Sequence, residues 1–312
     1  MRDKIRVGII GMGYMGNIHL SKLSSNPDCV VNAIYDIDKR RYSVIKDSKI
    51  NRCRRVEEIL RYSDAVVIAS PSITHLEYLK FFLSNGIHCL CEKPPVIYSK
   101  DLTELNAIAK EKNIVFNVVM PEKENPVVKY IMQTTENKGY VFQSDRVAPF
   151  SKRSTDISVL YDIMIHDIDI LLRIIPFRIK RVNATGLSVL TGEVDILNVR
   201  IEYNSGSFAI LNASRLAMEK KRRIRIFYKG GYISADLLNL TYSHILLRRK
   251  NMIPQNHKFN LENSDPINLI DKDFIEMILL SKLEGKYSAS NLVQTIGLCN
   301  YIERKIISKD VN

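Results

Sequence analysis

The sequence has little cysteine and no long apolar run, and each absence excludes a class of protein. Its five cysteines are odd in number and lack any Cys-x-x-Cys spacing, which argues against a disulfide framework and against a zinc knuckle. No apolar stretch approaches the roughly 18–20 residues that a membrane span requires. The first residues, Met1 to Lys4, are charged and do not resemble a signal peptide. We therefore expect a cytoplasmic protein with no membrane partner.

The sequence also lacks internal repeats and low-complexity segments. Hydrophobic residues make up 46% and charged residues 26% of the 312-residue chain, which is ordinary globular usage and excludes disordered and collagen-like proteins. This length favours about two domains. The net charge of +12 indicates either an anionic partner, such as nucleic acid or a phosphorylated substrate, or plain solvation of the surface.

The first 120 residues alternate apolar, β-branched runs with helix-like stretches. This order is typical of a parallel sheet built from right-handed crossovers. The predicted strands are Ile5–Ile10, Cys29–Tyr35, Ala65–Ser70, Ile87–Cys91 and Ile114–Val119. A helix is predicted over 75–84, with a Thr74/Glu77 capping box at its start and Gly86 at its end. We expect a doubly wound, nucleotide-binding α/β domain over residues 1–121.

The pattern changes after Pro126. Helical periodicity covers residues 126–136, 158–174, 268–283 and 289–308. Strand-length runs cover Tyr140–Val147 and about 179 to 249. Turn signals that predict antiparallel hairpins lie at Thr191-Gly192, Asn204-Ser205-Gly206 and Gly230-Gly231. We expect residues 122–312 to form an α+β domain with a large, mostly antiparallel sheet.

A glycine-rich turn follows the first predicted strand and opens a predicted helix, which is the context that a Rossmann dinucleotide site requires. Its residues are Gly11, Met12, Gly13, Tyr14, Met15 and Gly16. The first glycine permits the tight turn, the second lets a pyrophosphate approach the backbone, and the third allows close packing of helix on strand. Asp36 ends the second strand, where a carboxylate can bind both ribose hydroxyls. The alternative is a glycine-rich turn followed by a surface aspartate.

Asp36 also bears on the choice of cofactor. A carboxylate beside the 2′ position repels a 2′-phosphate, so Asp36 favours NAD over NADP. Lys39, Arg40 and Arg41 follow closely and could pair with such a phosphate if Asp36 turned away. Their alternative role is to solvate the start of the next helix.

A Glu-Lys-Pro tripeptide, Glu92 to Pro94, follows the fourth predicted strand. It lies at the carboxyl edge of the sheet, where open α/β domains bind ligands. Lys93 could donate to a substrate oxygen there and stabilise developing negative charge. It could also be an ordinary exposed loop lysine.

Asp162, His166 and Asp169 are spaced so that a helix would place all three on one face. The surrounding segment is otherwise apolar, and a buried carboxylate beside an imidazole needs a reason. One possibility is a general base with its orienting acid. A second is a metal site, and a third is a hydrogen-bonded core histidine.

Together these motifs resemble the glucose–fructose oxidoreductase and inositol dehydrogenase (Gfo/Idh/MocA) family. The motifs that carry the resemblance are Gly11–Gly16, Asp36, Ser70-Pro71 with His75, Glu92-Lys93-Pro94, and Asp162 with His166-Asp167. The resemblance implies a Rossmann domain followed by an open-sheet α+β domain that forms a homo-oligomer. It also implies that Lys93, Asp162 and His166 surround the hydroxyl being oxidised, without any metal. The implied cofactor-binding residues beyond the glycine turn and Asp36 are Ser70, Pro71, His75, Glu92 and Lys93.

A narrower resemblance concerns the substrate. The segment Arg146–Phe150, followed by Arg153, is similar to a segment that precedes the catalytic helix in UDP-N-acetylglucosamine 3-dehydrogenases. It implies that Arg146, Arg153 and His166 bind substrate. Lys123-Glu124 and Met164 depart from that subgroup's pattern, which keeps a free sugar or polyol open as the substrate.

Residues 219–229 form a segment rich in lysine and arginine. As a strand it has one mostly apolar and one mostly basic face, which favours a sheet with a solvated side over nucleic-acid binding. We therefore predict an NAD-dependent sugar or nucleotide-sugar dehydrogenase with no nucleic-acid partner. The alternative from another class is an NAD-binding redox sensor without catalysis.

Overall fold

The computed structural model describes residues 4–45, 47–135, 141–151, 155–248, 251–259 and 265–308. The chain forms two compact units. The first unit comprises Met1–Pro121 and Asp265–Gln294, and the second comprises Glu122–Ser264 and Thr295–Asn312. Within the described ranges, no helix is both long and apolar enough to cross a membrane.

Six parallel strands form the sheet of the first unit. They are β1 (Ile5–Ile10), β2 (Cys29–Tyr35), β3 (Asn51–Arg52), β4 (Ala65–Ile68), β5 (His88–Cys91) and β6 (Phe116–Val118). Their order is β3-β2-β1-β4-β5-β6, the doubly wound order of dinucleotide-binding domains. The helices between them include α1 (Tyr14–Ser24), α2 (His75–Ser84) and α3 (Ser99–Glu111). The predicted fold class of the first half is confirmed.

The core of this unit explains its apolar runs. A strand covered on both faces reads as a continuous apolar segment, and all four residues of β4 are buried. Val7, Ile9 and Val67 from the sheet pack in one cluster with Leu23 of α1. The strands therefore lie where the β-branched runs predicted them.

Helix α2 covers the predicted residues, but the reason given for its start was wrong. The Thr74 side chain caps no backbone N–H. Its hydroxyl instead donates to the carbonyl oxygen of Pro71 at 2.7 Å, because Ser72–Thr74 already form a short 3-10 turn that leads into the helix. The predicted end is confirmed, since Gly86 has φ of +75°, the left-handed conformation typical after a helix.

Nine strands form the sheet of the second unit. They are β7 (Val141–Val147), β8 (Ile179–Leu187), β9 (Ile196–Tyr203), β10 (Phe208–Ser214), β11 (Lys221–Tyr228), β12 (Gly231–Asp236), β13 (Thr241–Arg248), β14 (Asn251–Lys258) and β15 (Ile306–Ser308). Their order is β14-β13-β12-β11-β7-β10-β9-β8-β15. Neighbours are antiparallel except for β7 with β10 and β8 with β15. The predicted turns at Gly206 and Gly230 are confirmed, with φ of +84° and +92°.

The second unit also contains α4 (Pro126–Thr135) and α5 (Ile165–Ile174). We predicted one continuous helix over residues 158–174. The structure instead has a single π turn, Leu160–Met164, directly before α5. π turns are rare in proteins overall, but those that occur are often at functional sites. This one contains Asp162.

The structure corrects the predicted domain division in one segment. Residues 265–294, which we assigned to the second domain, belong to the first unit. Helix α6 (Pro266–Leu279) begins there, and the Asp265 carboxylate accepts a hydrogen bond from the Asn268 N–H at 3.1 Å. Its side chains Ile270 and Phe274 are buried in the core of the first unit. Helix α7 (Val293–Glu303) follows.

Candidate active site

The glycine-rich turn lies between β1 and α1, and two of its positions require glycine. Gly11 has φ of +90°, and a Cβ there would lie 2.6 Å from the Ser70 backbone nitrogen. A Cβ on Gly16 would lie 1.9 Å from the Gly11 carbonyl oxygen. Side chains at either position would displace the start of α1, where the N–H groups of such a turn hold a phosphate.

The three residues between the glycines differ in exposure. Met12 is buried and joins the core cluster of the first unit. Tyr14 is exposed at the first position of α1, and Met15 is half-buried. The turn is thus anchored on one side by Met12 while its other side faces solvent.

Asp36 follows β2 and contacts the glycine-rich turn. Its carboxylate accepts hydrogen bonds from the backbone N–H groups of Met12 (2.6 Å) and Asp38 (2.8 Å). A carboxylate has about four acceptor positions, so Asp36 retains capacity for the two hydroxyls of a ribose. The structure therefore brings the predicted ribose-binding residue against the predicted pyrophosphate turn.

Two of the basic residues after Asp36 are already engaged. The Lys39 ammonium donates to the carbonyl oxygens of Asp36 (2.8 Å) and Cys53 (3.2 Å). The Arg40 guanidinium pairs with the Asp38 carboxylate at 2.8 Å. These contacts stabilise the loop after β2.

Arg41 differs from both. Its Nη1 lies 3.6 Å from the Asp36 carboxylate, and its side chain is half-exposed. The same Nη1 lies 3.0 Å from the position of a Cβ on Gly13. Arg41 therefore places a positive charge beside both the Asp36 carboxylate and the glycine turn.

Ser70 and His75 lie beyond β4, on the other side of the turn. The His75 ring is buried, with Nδ1 at 2.8 Å from the Pro94 carbonyl oxygen and Nε2 at 2.9 Å from the Ser70 carbonyl oxygen. Both contacts can be hydrogen bonds at once only if both ring nitrogens carry a proton. His75, predicted to bind cofactor, thus connects the Ser70 turn to the loop that contains Lys93.

Glu92 and Lys93 follow β5 directly. The Glu92 N–H donates to the Ile68 carbonyl oxygen at 2.9 Å, which extends the β4–β5 pairing by one residue. Lys93 is half-buried. It therefore differs from the ordinary exposed loop lysine that the sequence left open as an alternative. The Glu92 carboxylate turns inward and lies 3.2 Å from Nε2 of His19.

Sequence reasoning missed the buried partners of Glu92. His19 lies on α1 and its Nδ1 is 2.8 Å from the Asp271 carboxylate on α6, although the two residues are 252 positions apart. The signal that could have identified His19 is its place on the buried face of α1, three positions after Gly16. No comparable signal marks Asp271.

The second unit supplies Asp162 and His166 from the π turn and α5. Both side chains are half-buried, while the neighbouring Tyr161 is buried. The Tyr161 hydroxyl donates to the Glu303 carboxylate of α7 at 2.8 Å. This contact fixes the π turn, so Asp162 and His166 are presented by an anchored segment.

Asp169, the third member of the predicted face, has other partners. It is buried and pairs with Arg173 at 3.0 Å, and the Thr295 hydroxyl lies 3.4 Å from it. Across the parts of the chain that the structure describes, no group of three or more His, Cys, Asp or Glu side chains is arranged to hold a metal ion. Nothing in this helix therefore favours the metal alternative.

Arg146, predicted to bind substrate, has carboxylate partners within the protein. It lies on the buried face of β7, with Nε and Nη2 at 2.9 and 2.8 Å from Asp167 and Nη1 at 2.7 Å from Glu122. Burial opposes its charge, but these two carboxylates outweigh burial and raise the pKa of Arg146. The guanidinium is thus buried and paired, and its contact with Asp167 connects β7 to α5 beside His166. Arg153 lies outside the described residues.

The basic segment of β11 also has carboxylate partners. Arg222 lies 3.1 Å from Glu122, and Arg225 lies 3.6 Å from Asp145. Ile224 of the same strand is buried, as the predicted alternation requires. This pairing matches a sheet with one solvated face.

Comparison with known protein families shows which family the chain belongs to. Residues 5–120 match the family described as oxidoreductase family, NAD-binding Rossmann fold, and residues 134–234 match the GFO/IDH/MocA C-terminal domain. The chain belongs to the Gfo/Idh/MocA family of oxidoreductases. The predicted family and its CH–OH oxidoreductase class are therefore confirmed.

Three proteins illustrate what this chain is similar to in sequence or in fold. UDP-N-acetylglucosamine 3-dehydrogenase of Acidithiobacillus ferrooxidans is 30% identical over 88% of each chain, and its structure covers 97% of this chain and 98% of its own at 26% identity with a TM-score of 0.86. Myo-inositol 2-dehydrogenase of Thermotoga maritima is 25% identical over 74% of this chain and 75% of its own. KijD10, a 3-ketoreductase of Actinomadura kijaniata in complex with NADP and TDP-benzene, shares the fold at 15% identity, with a TM-score of 0.84 and coverage of 99% and 100%.

Proposed function

We propose that this protein is an NAD-dependent dehydrogenase that oxidises a ring hydroxyl of a nucleotide sugar, with UDP-N-acetylglucosamine oxidised at C3 as the leading candidate. The observation that carries the proposal is the similarity to UDP-N-acetylglucosamine 3-dehydrogenase, which extends over 88% of both chains and therefore over both units. Family membership establishes an oxidoreductase. The substrate and the preference for NAD are our proposal.

The residues of the first unit fit a dinucleotide. A Cβ would fill the turn at Gly11 or Gly16, the start of α1 supplies N–H groups, and the Asp36 carboxylate lies against the turn. A nicotinamide cofactor held by these residues would supply the acceptor for the hydride that leaves the sugar carbon. Asp36 supports NAD, because an unphosphorylated ribose offers it two hydroxyl donors whereas a 2′-phosphate offers it negative charge.

Three side chains of this chain carry the proton chemistry in our proposal. The imidazole of His166 accepts the proton of the reacting hydroxyl, and Asp162 orients that imidazole. The Lys93 ammonium holds the oxygen as it becomes a carbonyl and stabilises its partial negative charge. The anchored π turn and the half-buried Lys93 support these roles, since acid–base groups need fixed positions.

A nucleotide sugar rather than a free sugar is favoured by charge. A nucleoside diphosphate brings two negative charges, and the chain has a net charge of +12. Electrostatic attraction of this kind weakens with salt. With Arg146 paired internally, the phosphate contacts in this proposal come from other residues, Arg153 among them.

The substrate proposal is tested by measuring NADH formation with UDP-N-acetylglucosamine, N-acetylglucosamine and myo-inositol side by side. We expect turnover of the nucleotide sugar, with a KM that rises with ionic strength. Turnover of only the neutral compounds would overturn the nucleotide-sugar proposal and leave the family's chemistry intact. NAD binding without turnover of any of them would favour the redox-sensor alternative.

We further propose a homo-oligomer that forms through the open face of the nine-stranded sheet. One row of cross-strand partners on that face is apolar and half-exposed: Val141, Phe208, Phe227, Tyr232 and Ile245. Phe227 and Tyr232 stack with their centroids 5.1 Å apart. Light scattering should give a multiple of the 35.9 kDa chain mass for the wild type and a smaller particle for Phe227→Glu.

A further inference from the structure

A buried chain of three ionisable side chains runs through the first unit. The His19 ring of α1 is fully buried, with Nδ1 at 2.8 Å from Asp271 of α6 and Nε2 at 3.2 Å from Glu92. Asp271 is itself only 1% exposed. This series of side-chain contacts therefore connects α6, through α1, to Glu92, the residue immediately before Lys93.

The surroundings of the central imidazole favour its positively charged form. Each ring nitrogen faces a carboxylate oxygen, and because an ionised carboxylate accepts hydrogen bonds without donating them, the charged imidazole can donate to both. Burial disfavours that charge, but Asp271 and Glu92 outweigh burial and raise the pKa of His19 to about 10. A cation between two carboxylates satisfies the buried charges that each of them would otherwise leave unpaired.

The consequence for Lys93 follows from its two neighbours. On one side, the Glu92 side chain is bound to His19. On the other side, the Pro94 carbonyl oxygen accepts a hydrogen bond from Nδ1 of His75 at 2.8 Å. Lys93 thus lies in a three-residue segment whose two ends are each held by a buried imidazole.

We propose that His19 and Asp271 are positioning residues for Lys93, which act through Glu92 and fix the point from which the ammonium meets the substrate oxygen. Asp271 holds the imidazole in its charged form and orientation, and the imidazole holds Glu92. The proposal rests on the proposed role of Lys93 in catalysis. Neither His19 nor Asp271 belongs to the residues that contact cofactor or substrate in that role.

The same two helices offer a matched control. The Lys22 ammonium of α1 lies 2.6 Å from the Asp265 carboxylate that caps α6. Lys22→Met therefore removes another ionic contact between α1 and the α6 segment without touching Glu92. An effect that came only from weaker packing of α6 on α1 would appear in this variant too.

The test compares Asp271→Asn with Lys22→Met in the full-length enzyme, with kcat expressed per folded molecule. Because displacement of a catalytic group by about 1 Å can cost about 100-fold, we expect Asp271→Asn to lower kcat by about 10- to 100-fold. The dissociation constant for NAD should change much less than kcat, since the glycine turn and Asp36, which hold most of the cofactor in our proposal, are untouched. Lys22→Met should match the wild type in both. An unchanged kcat in folded Asp271→Asn would overturn the proposal.

A second pair of variants applies if Asp271→Asn fails to fold. Glu92→Gln keeps a side-chain oxygen that can accept the His19 N–H, and Glu92→Ala removes it. We expect Glu92→Gln to retain at least about tenfold more kcat than Glu92→Ala. Equal kcat values in the two folded variants would show that the contact with His19 does not position Lys93.

A spectroscopic readout separates this proposal from the proposed function. Lysines carrying ¹³C-methyl groups give one NMR signal each, and the Lys93 signal is assigned by its loss in Lys93→Arg. Asp271→Asn should shift or broaden the Lys93 signal, whereas Lys22→Met should not. If the wild type turned over no sugar while this shift appeared, the proposed function would fail and the positioning role would stand; an unshifted Lys93 signal would contradict the positioning role.

Discussion

The Arg41 guanidinium lies 3.6 Å from the carboxylate of Asp36, the residue that we propose binds the cofactor ribose. Asp36 alone repels a 2′-phosphate. The neighbouring Arg41 partly cancels that repulsion and can donate hydrogen bonds to a phosphate. In our proposal, the preference between NAD and NADP therefore depends on the balance between these two neighbouring side chains.

We predict that Arg41→Ala sharpens the preference for NAD. A hydrogen bond to a charged group is worth about 1.5 kcal/mol, so the dissociation constant for NADP should rise by about tenfold. The dissociation constant for NAD should change by less than about twofold. Calorimetric titration of both cofactors measures the two values, and Arg40→Ala, which removes a contact with Asp38 instead, is the matched control.

The opposite change is expected for Asp36→Ala. This variant should bind NAD more weakly and relax the preference, because both ribose hydroxyls lose their acceptor. Tighter binding of NADP than of NAD by the wild type would contradict the proposed cofactor.

The proposed catalytic residues give a second prediction. Lys93→Met and His166→Asn should each lower kcat by about 10²–10⁴-fold, the usual contribution of a positioned acid–base group, while both proteins remain folded. Circular dichroism checks the fold, and stopped-assay NADH formation measures kcat. EDTA should leave wild-type activity unchanged. A loss of activity that added metal restores would instead support a metal site formed by Asp162, His166 and Asp169.

Part of the fold could be predicted to the residue. Strands β1 and β2 have the predicted bounds, because a parallel strand that is covered on both faces is a continuous apolar run. The two-residue β3, Asn51–Arg52, has no such run and was missed. The π turn at Leu160–Met164 was missed as well, since one extra residue per turn does not disturb a helical pattern enough to be seen.

The candidate site divides in the same way. Gly11, Gly16 and Asp36 could be predicted because local backbone geometry and a fixed spacing define them. The burial of Arg146 and its two carboxylate partners could not, because a strand alternates its two faces and the sequence does not say which face is buried. Nor could the contact between His19 and Asp271, because a single sequence carries no signal for a pair so distant along the chain.

The charge on His19 gives a prediction for stability. The pKa of His19 is raised to about 10 in the folded protein, against about 6.5 for an unperturbed histidine. A group with a raised folded pKa contributes its full stabilisation below the unfolded value, and this is lost as the pH rises through the folded value. The free energy of unfolding should therefore fall between about pH 7 and about pH 9.5, by at most about 1.4 kcal/mol per pH unit from this group.

Denaturant unfolding at about pH 7 and at about pH 9.5 measures this decrease in the free energy of unfolding. His19→Asn has no such group and should show a shallower dependence on pH than the wild type. NMR signals of the His19 ring provide an independent check, since they should not titrate between about pH 5 and about pH 9. A His19 titration near pH 6.5 would contradict the buried ionic chain.

The last prediction concerns two arginines of the second unit that both pair with aspartate. Arg146 is buried with Asp167 and Glu122, whereas Arg225 is half-exposed beside Asp145. Removing one partner of a buried ion pair costs about 3–5 kcal/mol because it leaves an uncompensated charge. An exposed pair is worth about 0–1 kcal/mol.

We therefore expect Arg146→Met to lower the free energy of unfolding by several kcal/mol and Arg225→Met to change it by less than about 1 kcal/mol. Guanidinium unfolding of both variants measures the difference. If Arg146 instead bound a substrate phosphate, Arg146→Met would be nearly as stable as the wild type, and its KM for the nucleotide sugar would rise while that of Arg225→Met would not. Because the Arg146 guanidinium already contacts two carboxylates at 2.7–2.9 Å, a loss of stability is the outcome that the structure predicts.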